Sequence, residues 1–372
     1  MNFEFSEEQS AIGELAQSIF RDHCDDDRIR EIYESGDIFD ERLWQSLAET
    51  GLLAAALPET CGGSGLGMLD LGLILEAQGA TLGAVPFWRH QIASLAIASF
   101  GSDALKNAHL PKLINGSAIA SLWNESSQRS ALQAKQSSNG WSLSGTAHHV
   151  VLDARTKLVL VIATLPDDRD QLFIVPTDAP ALDAVRGTSS NDESVADLTF
   201  NDVEVSADAL LACPDAVEWL ELRCCLAIAA LQLGVTGEAL QRAALYVSER
   251  HQFGRPIGSF QAVAMRMAEA YIQLELLRTA QWQLAWRLDE GLPAMASARI
   301  AKFQASEAGH IIGHTAQHYH GGIGADLTYP VHRFFLWASA LDLASGGAEM
   351  QLGELARLGL PEVVGFEQCL SQ

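Results

Sequence analysis

The hydrophobic period of the chain changes twice, near Ser117 and again near Ala216, and this constrains the fold more than any other feature. Up to Ser117 apolar residues recur at helical spacing, starting after a capping-box pair formed by Ser6 and Gln9. Between the two changes, short runs rich in Val, Ile, Leu and Thr are separated by turn sequences such as Asn-Gly and Asn-Asp, without intervening helices. Helical spacing then returns. The sequence therefore predicts a small antiparallel, barrel-like β domain between two α-helical regions.

The predicted boundaries divide the 372 residues into an N-terminal α-helical domain (1–115), a middle β domain (116–212) and a C-terminal four-helix bundle (213–372). In the last region a bulky residue recurs every seven positions from Trp219 to Val247 beside alanines and glycines, which lets antiparallel helices approach closely. The predicted helices are Glu41–Thr50, Leu69–Ala80, His90–Phe100, Ser102–Leu113, Ser259–Asp289, Met295–Tyr319, Pro330–Ser345 and Ala348–Leu358. The predicted strands are Ser117–Trp123, Gly140–Thr146, Lys157–Ala163, Gln171–Pro176 and Ala196–Val205.

Charge and cysteine usage exclude several classes of partner and compartment. The formal net charge is -23, so a nucleic acid or an anionic membrane would be repelled by most of the surface. The six cysteines form no CxxC pair, which is typical of a reducing compartment. No basic N-terminal stretch precedes an apolar one, and no apolar run reaches the ~18 residues that a transmembrane helix needs. We expect a soluble, cytoplasmic protein.

The first motif with chemical potential is Arg250-His-Gln-Phe-Gly-Arg-Pro-Ile-Gly-Ser-Phe-Gln261, which lies between two long helical patterns. Gly-Arg-Pro forces a turn, Phe253 is expected to be buried, and Ser259 is expected to cap the next helix. Arg250 ends the preceding helix. Its charge either stabilises that helix terminus or binds a pyrophosphate.

The second motif is His318-Tyr-His-Gly-Gly-Ile-Gly324, which ends a later helix. Two adjacent glycines either cap the helix or expose backbone N–H groups to a phosphate-bearing ligand. His310, His314 and His318 recur every four residues on one face of this helix. Such a row can bind zinc, but no third class of ligand is evident, so we expect no metal and a solvated or interface face instead.

Together with Tyr329-Pro-Val-His-Arg333, these motifs resemble those of the acyl-CoA dehydrogenase flavoproteins, and the order of helical, β and helical regions extends the resemblance over essentially the whole chain. The resemblance implies FAD, an acyl-CoA substrate, a homo- or heterotetramer of homologous subunits, and an electron-transferring flavoprotein as electron acceptor. In the family both motifs contact the ADP half of FAD held mainly by a neighbouring subunit. His318 occupies the place of a family glutamine, and Gln317 lies one residue early. The implied cofactor-binding residues are Arg250, Gln252, Phe253, Gln261, His318, Gly321 and Gly322.

The family reaction needs a base that removes the α-proton of the thioester while flavin N5 accepts the β-hydride. That base is usually a glutamate at one of two positions, which here hold Ser345 and Cys224. A serine has little basicity near neutral pH, and a buried cysteine is usually inert. The catalytic base is therefore left unassigned. Fallback carboxylates, each also typical of a surface or capping position, are Glu221, Asp326, Asp342 and Glu349.

The segments that would hold the flavin ring also depart from the family pattern. Asn124-Glu-Ser-Ser127 keeps only half of one segment, and His149-Val-Val-Leu152 replaces the Trp-Ile-Thr-Asn type that hydrogen-bonds the ring. Val151 has no donor for N5. This combination is similar to the non-catalytic partner subunits of heterotetrameric acyl-CoA dehydrogenases of bacterial steroid side-chain breakdown.

Three hypotheses follow from these residues. The chain completes the FAD site of a partner subunit that acts on a steroid-derived or other bulky acyl-CoA. Alternatively, it is a self-sufficient FAD acyl-CoA dehydrogenase with a relocated base. In the third hypothesis it is an acyl-CoA-binding or structural protein without a flavin.

Overall fold

The computed structural model describes residues 5–124 and 131–359. Among them the helices are α1 (Glu7–His23), α2 (Asp26–Ser35), α3 (Glu41–Glu49), α4 (Met68–Thr81), α5 (Phe87–Phe100), α6 (Asp103–Ile114), α7 (Ala216–Glu249), α8 (Gln261–Asp289), α9 (Met295–His320), α10 (Val331–Leu343) and α11 (Ala348–Leu358). The strands are β1 (Ile119–Leu122), β2 (Gln133–Ser137), β3 (Gly140–Val151), β4 (Thr156–Thr164), β5 (Asp170–Pro176), β6 (Leu182–Thr188), β7 (Ser194–Ser206), β8 (Leu210–Leu211), β9 (His251–Gln252) and β10 (Arg255–Pro256).

This order of elements confirms the predicted fold class, with helices, then a β sheet, then helices again. The chain forms two compact units. The bundle unit contains Met1–Glu31, Met68–Gly83 and Cys225–Gln372, and the sheet unit contains Ile32–Gly67 and Ala84–Cys224.

The sheet unit is built on eight strands in the order β6-β7-β3-β2-β4-β5-β8, with β1 paired to β4. Most neighbours are antiparallel, as predicted, but β1 and β2 both pair with β4 in parallel. Alternate side chains of β3, β5 and β7 enter one apolar core, which includes Leu143, Phe173, Leu198 and Phe200. The strands β2, β6 and β8 were missing from the prediction.

In the bundle unit, close helix packing depends on glycine. A side chain at Gly234 on α7 would clash with the carbonyl oxygen of Glu76 on α4, and one at Gly79 would clash with that of Leu231. The two helix backbones therefore touch, as the alternation of bulky and small residues along α7 predicted. Leu226, a member of the predicted row, is buried in this unit together with Leu233, Leu240 and Val247.

Ion pairs and caps tie the helices of the bundle unit together. The Arg278 guanidinium on α8 lies 2.9 Å from the Glu76 carboxylate on α4. The Asp289 carboxylate, at the end of α8, accepts hydrogen bonds from the N–H groups of Met68 and Leu69 at the start of α4. At the start of α1 the predicted capping box of Ser6 and Gln9 is confirmed.

One helix, α7, is long and apolar enough to cross a membrane by length and composition. However, 89% of its most apolar window is buried inside the protein, which is the behaviour of a core helix. Arg223 and Glu238 interrupt the apolar sequence of this helix, so its uncharged run covers residues 224–237 only. No other helix among residues 5–124 and 131–359 meets the same criterion.

Candidate functional site

The segment after α7 is a two-stranded hairpin. β9 and β10 pair antiparallel, with Arg255 opposite Gln252 and Pro256 opposite His251. The connecting residues Phe253 and Gly254 both have positive φ, 54° and 79°, which is the two-residue turn that matches the twist of a hairpin. The Arg250 carbonyl accepts a hydrogen bond from the Ile257 N–H at 2.8 Å and closes the base of the hairpin.

Two expectations for this segment were wrong. Phe253 is 91% exposed, because the turn directs its side chain away from the chain. Ser259 does not cap α8: a short 3-10 turn precedes that helix, and the Ser259 hydroxyl donates to the Pro256 carbonyl at 2.7 Å. Phe260 occupies the N-cap position without a side-chain cap. An exposed aromatic side chain on a strained backbone position is more typical of a binding site than of a core.

Arg250 follows α7 directly, as predicted, and its side chain is exposed. Arg250, Arg255 and Arg266 have no ion-pair partner among the residues that the structure describes. Arg255 stacks instead on the Phe260 ring, with its guanidinium carbon 4.0 Å from the ring centre. These exposed arginines form no salt bridge with the described residues, although the chain as a whole has a net charge of -23.

An aromatic stack brings the two motifs together. The ring of Tyr246, one turn before Arg250, lies 4.4 Å from the ring of His320 in a stacked arrangement. His320 immediately precedes Gly321. Tyr329 also packs against His320, with its ring centre 5.3 Å from that of His320. The hairpin and the Gly-Gly segment therefore lie at the same end of the bundle unit.

Gly321 and Gly322 are both exposed, and an added side-chain carbon would meet nothing within 4 Å at either position. Gly321 ends α9 with a φ of 59°, which favours glycine. Open space in front of two glycines leaves their backbone accessible to a ligand. The sequence alternative of a plain helix cap is compatible with this geometry as well, because Gly321 does end the helix.

The position of the family glutamine has two candidates, Gln317 and His318, and the structure exposes them to different extents. His318 is exposed, whereas Gln317 is half-buried and its side-chain oxygen lies against Gly324. The outward position is thus held by His318. Gln252 and Gln261 of the first motif are also exposed.

His320 is buried, and its Nδ1 lies 2.8 Å from the Ala316 carbonyl oxygen. Burial lowers the pKa of this imidazole, so it is neutral at physiological pH. Its stacking partner Tyr246 is a residue that the sequence analysis did not single out, whereas Tyr329 begins the Tyr-Pro-Val-His-Arg motif. The only sequence signal for Tyr246 was an aromatic residue one turn before Arg250.

The histidine row on α9 lies on one exposed face, with the rings of His310 and His314 4.5 Å apart. The pKa of His314 is lowered by burial and by the neighbouring His310 and Arg266. Within the described part of the chain no group of three or more His, Cys, Asp or Glu residues is arranged to hold a metal ion.

At the family position of the catalytic glutamate, Ser345 lies in the turn between α10 and α11 with a φ of 56°. The buried Gln351 amide donates to the carbonyl oxygens of Ser345, at 2.6 Å, and Gly346. On the other side of the turn, the fully buried Lys302 ammonium donates to the Asp342 carbonyl and the Ser306 hydroxyl, each at 2.8 Å. The turn is thus fixed by internal hydrogen bonds and carries no acidic side chain at residue 345.

The other base candidates lie in dissimilar settings. Cys224 is completely buried, and Glu221 is also buried. Asp326 is exposed and accepts hydrogen bonds from the Thr328 N–H and hydroxyl, which lower the pKa of its carboxyl group. It therefore acts as a turn cap. Asp342 is partly exposed and Glu349 is exposed.

In the sheet unit, the segment His149–Leu152 ends β3 at a bulge between Ala147 and Val150. The Val150 and Leu152 side chains are buried, and Val151 is half-buried. Asp197 on β7 accepts the His149 N–H at 2.8 Å, and its other oxygen lies 3.2 Å from Nδ1 of His148. The His149 N–H and His148 lower the pKa of this carboxyl group. Of Asn124–Ser127, only Asn124 lies within the described residues.

Comparison with known proteins agrees with this geometry. The chain matches the acyl-CoA dehydrogenase N-terminal domain family over residues 6–117 and the acyl-CoA dehydrogenase C-terminal domain family over residues 223–360, together more than half of its length. It is 35% identical to the acyl-CoA dehydrogenase FadE27 of Mycobacterium tuberculosis over 96% of this chain and 98% of that protein.

Two solved structures are similar over almost their whole length. One is the ChsE4-ChsE5 complex of Mycobacterium tuberculosis, with a TM-score of 0.91, 35% identity and coverage of 96% of this chain and 98% of that chain. The other is a point variant of the Tcur3481-Tcur3483 steroid ACAD, with a TM-score of 0.89, 38% identity and coverage of 95% and 97%. The chain therefore belongs to the acyl-CoA dehydrogenase family, FAD-dependent oxidoreductases that act on CH–CH groups.

Proposed function

We propose that this chain is a subunit that completes the FAD site of a homologous partner subunit in an α,β-dehydrogenase of acyl-CoA thioesters. One contrast carries the proposal. The residues that the family extends towards a neighbour's FAD are exposed, and Arg250 among them forms no salt bridge with the described residues, whereas the turn that would carry this chain's own base holds Ser345. A chain that keeps the residues for a neighbour's FAD but lacks a base at its own family position is suited to complete the neighbour's site.

The ADP half of FAD fits the outward residues. Arg250 supplies a permanent cation suited to a diphosphate, and the accessible backbone of Gly321 and Gly322 supplies N–H donors. Phe253, in the same hairpin as Arg250, offers an exposed aromatic face. The exposed side chains of Gln252, Gln261 and His318 add polar contacts in the same segments.

The chemistry that FAD supplies in this family is acceptance of the hydride from Cβ of the thioester. This chain's part is to bind and orient the cofactor. It does not supply the base by either family route, because the Ser345 hydroxyl lacks basicity and the Cys224 thiol is fully buried. We assign removal of the α-proton to the partner subunit.

The similarity to a steroid acyl-CoA dehydrogenase at 38% identity supports a bulky, steroid-derived acyl-CoA as substrate. The similarity to a chain of the ChsE4-ChsE5 complex supports a heteromeric partner over a homotetramer. An electron-transferring flavoprotein as electron acceptor and a cytoplasmic location complete the proposal.

The decisive experiment is the visible absorbance spectrum of the chain purified alone and after co-expression with a homologous subunit. We expect little flavin in the first sample and FAD in the second. Arg250→Ala should reduce FAD affinity of the complex by roughly 10- to 100-fold, because a charge-assisted hydrogen bond is worth about 1.5–3 kcal/mol. The matched control is Arg30→Ala, an arginine of α2 that pairs with Asp27, which should leave FAD content unchanged.

Two results would contradict the proposal. A yellow homo-oligomer with one FAD per chain, reduced by an acyl-CoA, would show a self-sufficient enzyme, and Asp342→Asn or Glu221→Gln would then identify its base. Unchanged FAD content after Arg250→Ala in every complex would favour a role without flavin.

A further inference from the structure

The imidazole of His320 is buried at the end of α9, directly before Gly321, and its two nitrogen atoms have different surroundings. Nδ1 lies 2.8 Å from the Ala316 carbonyl oxygen, whereas Nε2 has no hydrogen-bond partner among the residues that the structure describes. A carbonyl oxygen only accepts, so we assign the proton of the neutral ring to Nδ1 and the lone pair to Nε2. A second proton on Nε2 would be buried without an acceptor, because His320 is only 3% exposed.

Two tyrosine rings contact the His320 ring from different parts of the chain. Tyr246 on α7 stacks on it with 4.4 Å between the ring centres and an angle of 29° between the planes. Tyr329, just before α10, packs against it at 5.3 Å and 48°. Aromatic pairs at these separations attract each other, and their two phenols are titratable groups in contact with the imidazole. The three rings therefore join α7, α9 and the segment before α10.

This stack is connected to both segments that we assign to the diphosphate of FAD. The Tyr246 carbonyl accepts the Arg250 N–H at 2.9 Å, and the Arg250 carbonyl in turn accepts the Ile257 N–H at the base of the hairpin. On the other side of the stack, His320 is followed at once by Gly321, whose N–H groups with the last carbonyls of α9. A ligand held by both segments needs a fixed spacing between them, and the rings set that spacing before the ligand arrives.

The charges near the stack also disfavour a protonated His320. Burial lowers the pKa of this imidazole, and the Arg242 guanidinium on α7 lowers it further. The charge of Arg242 is paired with Asp26 at 2.8 Å and with Glu238 at 2.7 Å, so these carboxylates are already engaged. An imidazolium would add a second cation to this buried cluster. The closed stack is therefore stable only with a neutral ring.

We propose that His320 is the residue that positions Arg250 relative to the Gly321–Gly322 backbone, and that it does so only as a neutral imidazole. The inference rests on the proposed function, because the ligand that bridges the two segments is the diphosphate of FAD. It adds control by pH: protonation opens the stack, the spacing between the two segments is lost, and FAD is bound less tightly.

The direction of this pH dependence follows from the pKa of the ring. The ordinary pKa is 6.5, and the pKa in the closed stack is lower, so the opened form takes up a proton more readily than the closed form. Falling pH through 6.5 therefore favours the opened form, and above 6.5 the closed form carries no penalty.

The first test needs no flavin. Hydrogen–deuterium exchange of the isolated full-length chain, followed by mass spectrometry, reports opening of the hairpin between His251 and Ile257. His320→Ala should accelerate exchange there about tenfold at about pH 7.5, because both aromatic contacts are lost. Tyr246→Leu breaks the stack from the α7 side, should have the same effect, and replaces the alanine variant if that chain does not fold. His320→Phe keeps a ring in place and should exchange like the wild type.

The second test is equilibrium dialysis of FAD with the chain co-expressed with a homologous subunit, at about pH 7.5 and pH 5.5. His320→Ala should weaken FAD binding about tenfold at the higher pH, and the wild type should lose up to about tenfold on going to the lower pH. His320→Phe has no titratable group at this position and should not share that loss. The matched control is His109→Phe on α6, another imidazole whose pKa is lowered by burial, and it should keep the wild-type pH profile.

Unchanged exchange in both His320→Ala and Tyr246→Leu would overturn the positioning role. A His320→Phe complex whose FAD affinity falls with pH as the wild type does would overturn the requirement for a neutral ring. Arg250→Ala separates this inference from the proposed function. If that variant retains its FAD, the proposed function fails, and exchange in the isolated chain still decides whether His320 couples the two segments.

Discussion

The polar groups at two ends of the bundle unit face in opposite directions, outwards at one end and inwards at the other. At the hairpin end, Arg250 and the backbone of Gly321 and Gly322 face outwards, with no charged partner for the arginine among the described residues. At the turn between α10 and α11, Lys302 and Gln351 direct their hydrogen bonds inwards to backbone carbonyl groups. The outward groups of the first end are accessible to a ligand. The second contributes to folding and has no acidic side chain left for chemistry at residue 345.

The same contrast appears in backbone strain. Phe253 and Ser345 are both non-glycine residues with positive φ, 54° and 56°. The Ser345 carbonyl is held by Gln351, so internal hydrogen bonds offset its strain. Phe253 is 91% exposed, and its ring makes an edge contact with Phe260, 6.1 Å between ring centres. Its backbone is held by the pairing of the hairpin strands, but its side chain is not packed, and positive φ at an exposed aromatic residue is a sign of function.

The largest expected effect is a loss of stability at the turn between α10 and α11. Lys302→Ala removes a fully buried side chain and both of its hydrogen bonds. We expect a loss of about 3–5 kcal/mol in unfolding free energy, the range for buried side chains that leave a cavity. Urea unfolding followed by circular dichroism measures it.

The control is Lys302→Met, which fills the same space. The Ser306 hydroxyl still lies 3.3 Å from the Asp342 carbonyl and keeps that oxygen bonded. Because the buried charge is also removed, the cost should be under about 1 kcal/mol. Equal losses in the two variants would show that the ammonium itself, and not the packing, holds the turn.

The next effect is a pH dependence from the same lysine. Burial lowers its pKa from 10.5 to about 8, so the unfolded chain binds more protons than the folded one between these values. Stability must therefore rise with pH across this window, and it is lost as pH falls through about 8. The wild type should gain about 3 kcal/mol relative to Lys302→Met between pH 8 and pH 10.5, at about 1.4 kcal/mol per unit of pKa difference. A flat difference between the two unfolding curves across this range would contradict it.

The sequence predicted some features of the hairpin end and of the turn between α10 and α11, and missed others. Regular hydrophobic periods predicted the helices on both sides of each motif, because buried helices must repeat their apolar residues. They did not predict β6, whose residues from Asp183 to Thr188 are exposed and carry no alternation. Nor did they predict the Tyr246–His320 stack, which joins residues far apart in the chain and depends on how α7 and α9 pack. Phe253 was expected inside because apolar residues usually are, and the turn geometry overrides that rule.

A smaller effect is expected on FAD affinity at the hairpin end of the bundle unit. An added side-chain carbon at Gly322 meets nothing within 4 Å, so Gly322→Ala should leave folding intact. If the ADP half of FAD lies against this backbone, FAD affinity of the complex should fall about tenfold, equivalent to about 1.4 kcal/mol. Equilibrium dialysis of FAD measures the change.

Gly353→Ala is the matched control, because an added carbon on this glycine of α11 also meets nothing within 4 Å. It should leave FAD affinity unchanged and stabilise the helix by up to about 1 kcal/mol. Similar FAD affinities for both variants would place the cofactor away from the Gly-Gly segment.

The smallest expected effect has opposite signs for folding and for binding. Phe253→Asn converts the turn to Asn-Gly, the pair that best tolerates positive φ at both positions. We expect a gain of about 0.5–1 kcal/mol in unfolding free energy from relieved backbone strain, and no loss of packing because the ring is exposed. FAD affinity of the complex should fall, since the aromatic face is lost. Thermal unfolding of the isolated chain and FAD dialysis of the complex measure the two effects separately. If Phe253→Asn destabilises the chain, the phenylalanine stabilises the hairpin itself. The hairpin end would then contribute to folding despite the exposure of this side chain.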